Sequence, residues 1–411
     1  MPVLTIKLNA VQVLAISAFG VTLGIWLKKK LPVLDRLNIP ASIAGGLVYA
    51  VVALILRDRY LNLEMDLALQ SILMVAFFTT IGMSASMRLV REGGVQVLYF
   101  FGIASVGAVL QNLVGIGMAK AFSLSPLLGI ISGSVALTGG PATALAFGET
   151  FEKTMGIPGA TTLGVAAAMF GITAGGILGG HIGGSLISRN KLHPKKEIPK
   201  RADELVYAGA THEPEPTPMD DESESEHSAL LTNTIAIAVA MGLGTLISNG
   251  FQRMGLILPV YVGAMIAAAL IRNLDDKFHF ARINQHEVDK IGTVSLYIFI
   301  VMALLTLRLW ELAYLALPTL AMLLAQVALI WLMCVFIVFR FMGRDYESAV
   351  MVGGFCGFML GTTANAMACM DVLAQKYGPA PRAFVVVPVV GAFLIDFANA
   401  LIITTMANFF R

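Results

Sequence analysis

Long stretches of this chain pass without a charged side chain, and they recur at the length a bilayer demands. A helix needs about 20 mostly apolar residues to cross the hydrocarbon. Leu8–Leu27, Leu37–Leu56, Leu67–Met87, Val95–Ala119, Leu230–Gln252, Met254–Ile271, Ile291–Leu307 and Leu312–Phe339 meet or approach that length. Three regions do not read as single spans. Ala121–Gly148 is broken by Thr138-Gly139-Gly140-Pro141; Thr154–Ser188 is too long for one helix and opens with Gly156-Ile157-Pro158-Gly159. Ser348–Arg411 carries Gly361-Thr362-Thr363, then Gly378-Pro379-Ala380-Pro381, then a last apolar stretch.

Composition sharpens the pattern. The 411 residues are 57% hydrophobic and 13% charged, about half the charge of an ordinary soluble domain. That excludes a soluble enzyme, and a net charge of +2 excludes a nucleic-acid binder. Cys334, Cys356 and Cys369 lie in apolar segments without CxxC spacing and read as small hydrophobes. No HExxH, Walker or GxSxG pattern occurs, so nothing points to catalysis. Residues 188–228 stand apart: basic at Arg189, Lys191, Lys195, Lys196, Lys200 and Arg201, then acidic and Pro-rich over Glu213–Glu222. Such a segment buries too little apolar area to offset its chain entropy and is expected to be a flexible linker.

Charge placement tests the span count through the positive-inside bias. With re-entrant hairpins near residues 121–148 and 347–375, each half of the chain has five full spans, and 20 of the 28 Lys and Arg fall on one side. If the first hairpin crossed fully, the basic linker would land outside. The expected architecture is therefore an all-α polytopic membrane protein: a first repeat over 1–187, a cytoplasmic linker over 188–228, and a second repeat over 229–411. Both termini are then outside.

The halves also resemble each other. Gly139-Gly140-Pro141-Ala142-Thr143-Ala144 aligns with Gly361-Thr362-Thr363-Ala364-Asn365-Ala366 at a shift of 222 residues, and Asn38-Ile39-Pro40 with Ile257-Leu258-Pro259 at 219. Five spans is an odd number, so the second copy must lie the other way up. Inverted repeats with broken segments meeting near the midplane mark secondary transporters, and irregular backbone at that depth is tolerated only where it is buried in protein or lines a cavity. The breaks offer glycine backbone and hydroxyls at Thr138, Gly139, Gly140, Thr143, Gly361, Thr362, Thr363 and Asn365. A half-helix starting after each break aims its positive end at an anion; the alternative is that these small residues only let helices pack.

Asp396 is the one carboxylate deep in a span, with Asn399 on the same face at i+3. The pair suits a cation or, for Asp396, a coupling proton; an interhelical hydrogen bond is the plainer alternative. Gln111-Asn112 is a second polar pair, readable as ligand oxygens or as interhelical glue. Glu149 and Asp371 are expected at the hairpin mouths, in water. Besides a transporter, an ion channel with the two breaks as its filter, or a scaffold recruiting partners through the acidic linker, fits the pattern.

Several blocks carry a resemblance. Asn38-Ile-Pro-Ala-Ser-Ile-Ala-Gly-Gly-Leu47, Ala76-Phe-Phe-Thr-Thr-Ile-Gly82, Gln111-Asn-Leu-Val-Gly-Ile-Gly-Met-Ala119, Leu304-Leu-Thr-Leu-Arg-Leu-Trp-Glu-Leu-Ala313 and Val386-Val-Pro-Val-Val-Gly-Ala-Phe-Leu-Ile-Asp396 resemble the bacterial sodium/glutamate symporter family. The resemblance implies sodium-coupled uptake of glutamate across the bacterial inner membrane, with no cofactor beyond the coupling ion. It further implies a homodimer with inverted five-span repeats, working as an elevator. Thr138-Gly-Gly-Pro-Ala-Thr-Ala144 and Gly361-Thr-Thr-Ala-Asn-Ala366 depart from the family's usual hairpin sequences, which leaves a related acidic amino acid or dicarboxylate as an alternative substrate, and a proton as an alternative coupling ion.

Overall fold

The computed structural model describes residues 4–37, 39–57, 61–88, 94–194, 222–254 and 258–410. Most of the expected linker, including its basic run from Lys195 to Arg201 and its acidic run from Glu213 to Asp221, lies outside them. The protein is an all-α polytopic membrane protein; among the described residues, six helices are long and apolar enough to cross a membrane.

In chain order the first half carries α1 (Ala10–Lys30), the short α2 (Pro32–Arg36), α3 (Ala41–Leu56), α4 (Ala68–Ser84) and α5 (Gly94–Ala121). The half-helices α6 (Pro126–Ile130, prolonged by a π turn over Ile131–Val135) and α7 (Gly140–Lys153) follow, then α8 (Ala160–Arg189). The second half has α9 (Glu222–Arg253), α10 (Val260–Phe278), α11 (Gln285–Leu305) and α12 (Leu312–Leu332, continued through a π turn to Phe341). Its half-helices are α13 (Tyr346–Met359) and α14 (Thr363–Tyr377). The last are α15 (Pro381–Val389) and α16 (Ile395–Phe409), joined by a π turn over Val390–Leu394.

Three details differ from the sequence reading. The stretch opening at Thr154 holds one 30-residue helix, because the turn at Gly156–Gly159 absorbs its first residues. α9 begins at Glu222, inside the segment expected to be linker. A two-stranded parallel ribbon, β1 (Leu4–Leu8) with β2 (Leu61–Met65), was not foreseen. Its parallel register starts α1 and α4 from the same side, with α3 running back between them.

The helices pack as two bundles, each drawing on both halves of the chain. One joins α1, α3, α4, α9, α10 and α11. Its helices approach at small residues: a Cβ at Gly24 would stand 1.8 Å from the carbonyl oxygen of Ala41, and one at Gly45 would stand 1.9 Å from that of Gly20. Close backbone approach of this kind replaces the hydrophobic drive that lipid removes. The other bundle holds every half-helix and every π turn, with α5, α8, α12, α15 and α16. The bundles meet through large side chains. Tyr261 of α10 lies between Phe78 of α4 and Phe147 of α7, at 4.8 and 5.3 Å between ring centroids.

Helix direction follows from contacts at the ends. The end of α4 is tied to the end of α10: the Ser86 hydroxyl donates to Asp276 at 2.5 Å, and Asn273 accepts from the Met87 N–H at 2.9 Å. Gln285, at the start of α11, donates to Ser84 at 2.6 Å. At the other end of this bundle, Arg57 after α3 lies over Trp310 after α11. So α10 runs with α4 and against α3, and α11 runs against α4.

Beyond α10 the chain turns on Asp275, a buried carboxylate accepting from the N–H groups of Ala281, Arg282 and Ile283 at 2.7, 3.1 and 2.8 Å. Burial pushes its pKa up, but those three donors and the Arg272 charge outweigh it and hold the pKa below the ordinary aspartate value. A depressed folded-state pKa stabilises the fold above the unfolded value and loses that contribution as pH falls through the folded one. Asp275→Asn is expected to lower stability by about 1–2 kcal/mol at neutral pH, read as a melting shift in detergent. The gap between the two proteins narrows once pH drops below about 4. A gap that stays constant down to pH 3 assigns the effect to something other than the carboxylate charge.

Candidate functional site

Both chain breaks fall where glycine and threonine cluster. The first half-helix ends in a π turn in which Gly133 is non-helical (φ −95°, ψ −129°), and α7 restarts at Gly140 with φ +68°. The second ends at Met359, and α14 starts after Thr362, whose Oγ accepts from the Asn365 N–H at 3.4 Å. The two breaks touch. A Cβ built at Gly140 would stand 3.3 Å from the Gly361 carbonyl oxygen and 3.4 Å from Thr362 Cγ2. Gly139 fits against Thr143 in the first turn of α7, and Thr138, Gly140 and Thr143 are buried. Gly140 is therefore glycine for two reasons, its positive φ and the backbone facing it.

Broken helices leave backbone groups that lipid cannot satisfy, and here side chains of neighbouring helices take them up. Gln111 on α5 donates to the Met359 carbonyl at 2.8 Å and accepts from the Thr138 hydroxyl at 2.5 Å, so one amide ties the two breaks together. Asn112 accepts from the Ser134 N–H at 2.9 Å, while Asn399 of α16 donates to the Ser134 carbonyl at 3.0 Å. Asn365 donates to the Ile172 carbonyl of α8 at 2.7 Å, and Thr363 to the Gly391 carbonyl at 2.5 Å. Gln326 of α12 donates to the Gln111 carbonyl at 2.7 Å.

Oxygens are left over. Asn365 Oδ1, Asn399 Oδ1, Gln326 Oε1 and Ser134 Oγ are buried with no hydrogen-bond partner among the described residues. Buried polar atoms ordinarily find partners; Ser134 and Asn365 stand at the two breaks, Gln326 and Asn399 on helices hydrogen-bonded to them, and oxygen is the donor type a hard cation takes. Gln111 and Asn112 are committed to protein partners at both ends of their amides, which makes them braces first; each amide oxygen keeps a second lone pair. Asp396 stands one turn before Asn399, partly buried, and makes no hydrogen bond or ion pair among the described residues.

Polar contacts hold the chain at the ends of the half-helix pairs remote from the breaks. At the second, Arg382 lies 2.6 Å from Asp345, and the Tyr346 hydroxyl donates to the Gly378 carbonyl. Burial raises the Asp345 pKa, but Ser348 and Arg382 outweigh it and bring it below the usual aspartate value. At the first, Glu152 accepts from the Thr161 N–H at 2.8 Å. Glu149, expected in water, is only partly exposed, 2.6 Å from Lys153 and accepting from Gln70 of α4 at 3.1 Å. Asp371 is exposed, as expected.

Every candidate residue of the two breaks therefore lies in one bundle, with Gln111, Asn112 and Asn399 bonded into the same network. Ser134, Gln326 and the acceptors at Ile172, Met359 and Gly391 were missed. Only Ser132-Gly133-Ser134 left a trace in the sequence, as small and hydroxyl residues just ahead of a break; backbone acceptors leave none.

Known proteins resemble the chain along nearly all of its length. The family model described as sodium/glutamate symporter matches residues 6–379. A sodium/glutamate symporter of Escherichia coli (strain K12) is 36% identical over 402 residues, 96% of each chain. One of Haemophilus influenzae (strain ATCC 51907 / DSM 11121 / KW20 / Rd) is 34% identical over 393 residues, 95% of each. With that coverage, and with the polar network built at paired helix breaks, the chain belongs to the sodium/glutamate symporter family.

Proposed function

We propose that this protein couples sodium entry to the uptake of glutamate or a close acidic amino acid across the bacterial inner membrane. The observation that carries the reading is the contact between the two breaks, Gly140 against Gly361 and Thr362, with unpartnered buried oxygens beside it. The half-helix starts at Gly140 and Thr363 turn their positive ends toward a carboxylate-bearing substrate. Thr138, Gly139, Gly140, Thr143, Gly361, Thr362, Thr363 and Asn365 line its site. Asp396 and Asn399 supply oxygens to sodium, and Gln111 and Asn112 steady the break beside them.

Each half then contributes five full spans and one re-entrant hairpin, ten spans and two hairpins in all. The order of long helices, two half-helices and a last long helix recurs in both halves and supports the repeat. Inversion is supported by direction: α10 runs against its counterpart α3, and α11 against α4. The α1–α3 crossing at Gly24 and Gly45 has its counterpart in α9–α10, where Gly244 meets Ala264. The termini lie outside and the linker in the cytoplasm. Sliding of the hairpin bundle along the other bundle moves the site across the membrane, and the side-chain-mediated boundary at Tyr261 supports such an elevator. The unit is a homodimer, with the second copy docked on the bundle that lacks hairpins.

Proteoliposomes with an inward sodium gradient are expected to accumulate labelled glutamate, and potassium in place of sodium to abolish accumulation. Asp396→Asn is expected to raise the half-saturating sodium concentration about tenfold, the loss of one favourable contact of about 1.4 kcal/mol. Uptake indifferent to sodium for every acidic substrate overturns the coupling; unchanged sodium activation in the variant removes Asp396 from the ion site.

Gln70 and Glu149 meet across the bundle boundary, which gives the elevator its own test. A Gln70→Cys/Glu149→Cys protein, oxidised to the cross-link, is expected to lose uptake and to regain it on reduction. Full uptake by the cross-linked protein rules out sliding at this boundary.

A further inference from the structure

The carboxamides of the hairpin bundle do not all serve the breaks. Gln111, Asn112 and Asn399 each reach a group at one: the Met359 carbonyl, the Ser134 N–H and the Ser134 carbonyl. Gln326 does not. It is fully buried in the regular part of α12, the most apolar of the six long helices. Its Nε2 donates to the Gln111 carbonyl at 2.7 Å. That carbonyl lies in the interior of α5, where the helix supplies an N–H of its own. A carboxamide at such depth is costly, and repair of a break does not account for it.

What Gln326 leaves over is an oxygen. Its Oε1 has no hydrogen-bond partner among the described residues, and neither have Ser134 Oγ and Asn399 Oδ1, on side chains that are likewise buried. The three share a neighbourhood. Asn399 is anchored on the Ser134 carbonyl at 3.0 Å. A Cβ at Gly133 would stand 2.9 Å from the Gln111 carbonyl oxygen, the atom on which Gln326 is anchored, and 2.8 Å from Asn112 Oδ1. α12 also packs against the π turn over Ile131–Val135. Asn365, whose Oδ1 is spare as well, is anchored elsewhere, on Ile172 of α8. Acceptors without a donor, brought together from a π turn, α12 and α16, are the ligand type of a hard cation. Asp396, one turn before Asn399, brings a carboxylate on the same helix.

We propose that Gln326 and Ser134 complete the ion site to which Asn399 and Asp396 contribute, so that the ion is held at Gly133–Ser134 by protein oxygens alone. The identity of the ion as sodium rests on the transport reading above. The ion then lies ahead of the first break, while the substrate lies where Gly140 meets Gly361 and Thr362. It acts on the substrate site through the chain. Asn112 and Asn399 hold the backbone of Ser134, and Gln111, which Gln326 anchors, accepts from the Thr138 hydroxyl. An ion that fixes Ser134 and Gln326 therefore fixes the approach to Gly140. Sodium needs no substrate to bind and favours the shape that takes the substrate, and by linkage the substrate tightens sodium in return.

Sodium binding without substrate tests the proposal, read as the melting shift of the full-length protein in detergent as sodium chloride replaces choline chloride. The wild type is expected to be stabilised by sodium with no glutamate present. Gln326→Met keeps the volume and removes the oxygen; Ser134→Ala keeps the backbone bonds of the turn and serves if the first variant does not fold. Each is expected to need about tenfold more sodium for the same shift, the loss of one contact of about 1.4 kcal/mol. In proteoliposomes the half-saturating sodium concentration is expected to rise by the same factor, while half-saturating glutamate at saturating sodium moves less than about twofold. A wild type that sodium does not stabilise in the absence of glutamate overturns the proposal, as does an unchanged sodium requirement in the folded variants. A rise in the glutamate requirement in place of the sodium one also overturns it, and gives these oxygens to the ammonium group of the substrate. Wild-type uptake that ignores sodium is a separate result: it overturns the transport reading, and this proposal with it.

Discussion

Hydrocarbon offers no hydrogen bonds, and the rest of this structure depends on how the chain answers that at two places where buried helices stop. A break in a span releases N–H and C=O groups that cost several kcal/mol each if left bare. The chain meets the demand by placing carboxamides on intact neighbours. Gln111 reaches the carbonyl before one break and the hydroxyl at the other, and Asn112 and Asn399 hold the two sides of Ser134. Such a network cannot be cut piecemeal, since each amide that leaves exposes a carbonyl or N–H elsewhere. The spare oxygens at Asn365 and Asn399 are what remains when the backbone has been satisfied.

This concentration of polar backbone explains the division into two bundles. Helices that carry breaks must keep the neighbours that satisfy them, so α5, α8, α12 and α16 stay with the half-helices. Among the described residues, the six helices of the other bundle carry no internal break and approach at glycine contacts that need no polar partner. The boundary between the bundles is left to side chains such as Phe78, Phe147 and Tyr261, with polar links at Gln70–Glu149 and Thr162–Arg308. Dispersion between ring faces and edges is weakly directional, so these two polar links are the directional bonds described at the boundary.

Much of this was legible in the sequence, for physical reasons. Apolar runs report the bilayer because length and hydrophobicity are local, and Thr138–Gly140 and Gly361–Thr363 report the breaks because few other residue types tolerate them. The same holds for Asp396, whose solvation cost makes it conspicuous in an apolar run. What was not legible depends on partners far along the chain. Ser134 matters only because Asn112 and Asn399 converge on it, and the π turns form where helices from both halves meet. β1 and β2 have five residues each, too few and too weakly alternating to signal a strand. The helical start of α9 at Glu222 was hidden by composition, since an acidic run reads as solvated chain.

The ribbon also bears on how the protein is made. β1 leads into the first helix, yet its partner strand begins at Leu61, after α3 has been synthesised. Leu4–Leu8 emerges without a strand to pair with, and it stays so until β2 is made. α1 thus gains its ribbon contact only after α3 has threaded back across, yet before α4 and the helices beyond it are made. Insertion and final folding are separated in time at the amino terminus by the order in which two short strands leave the ribosome.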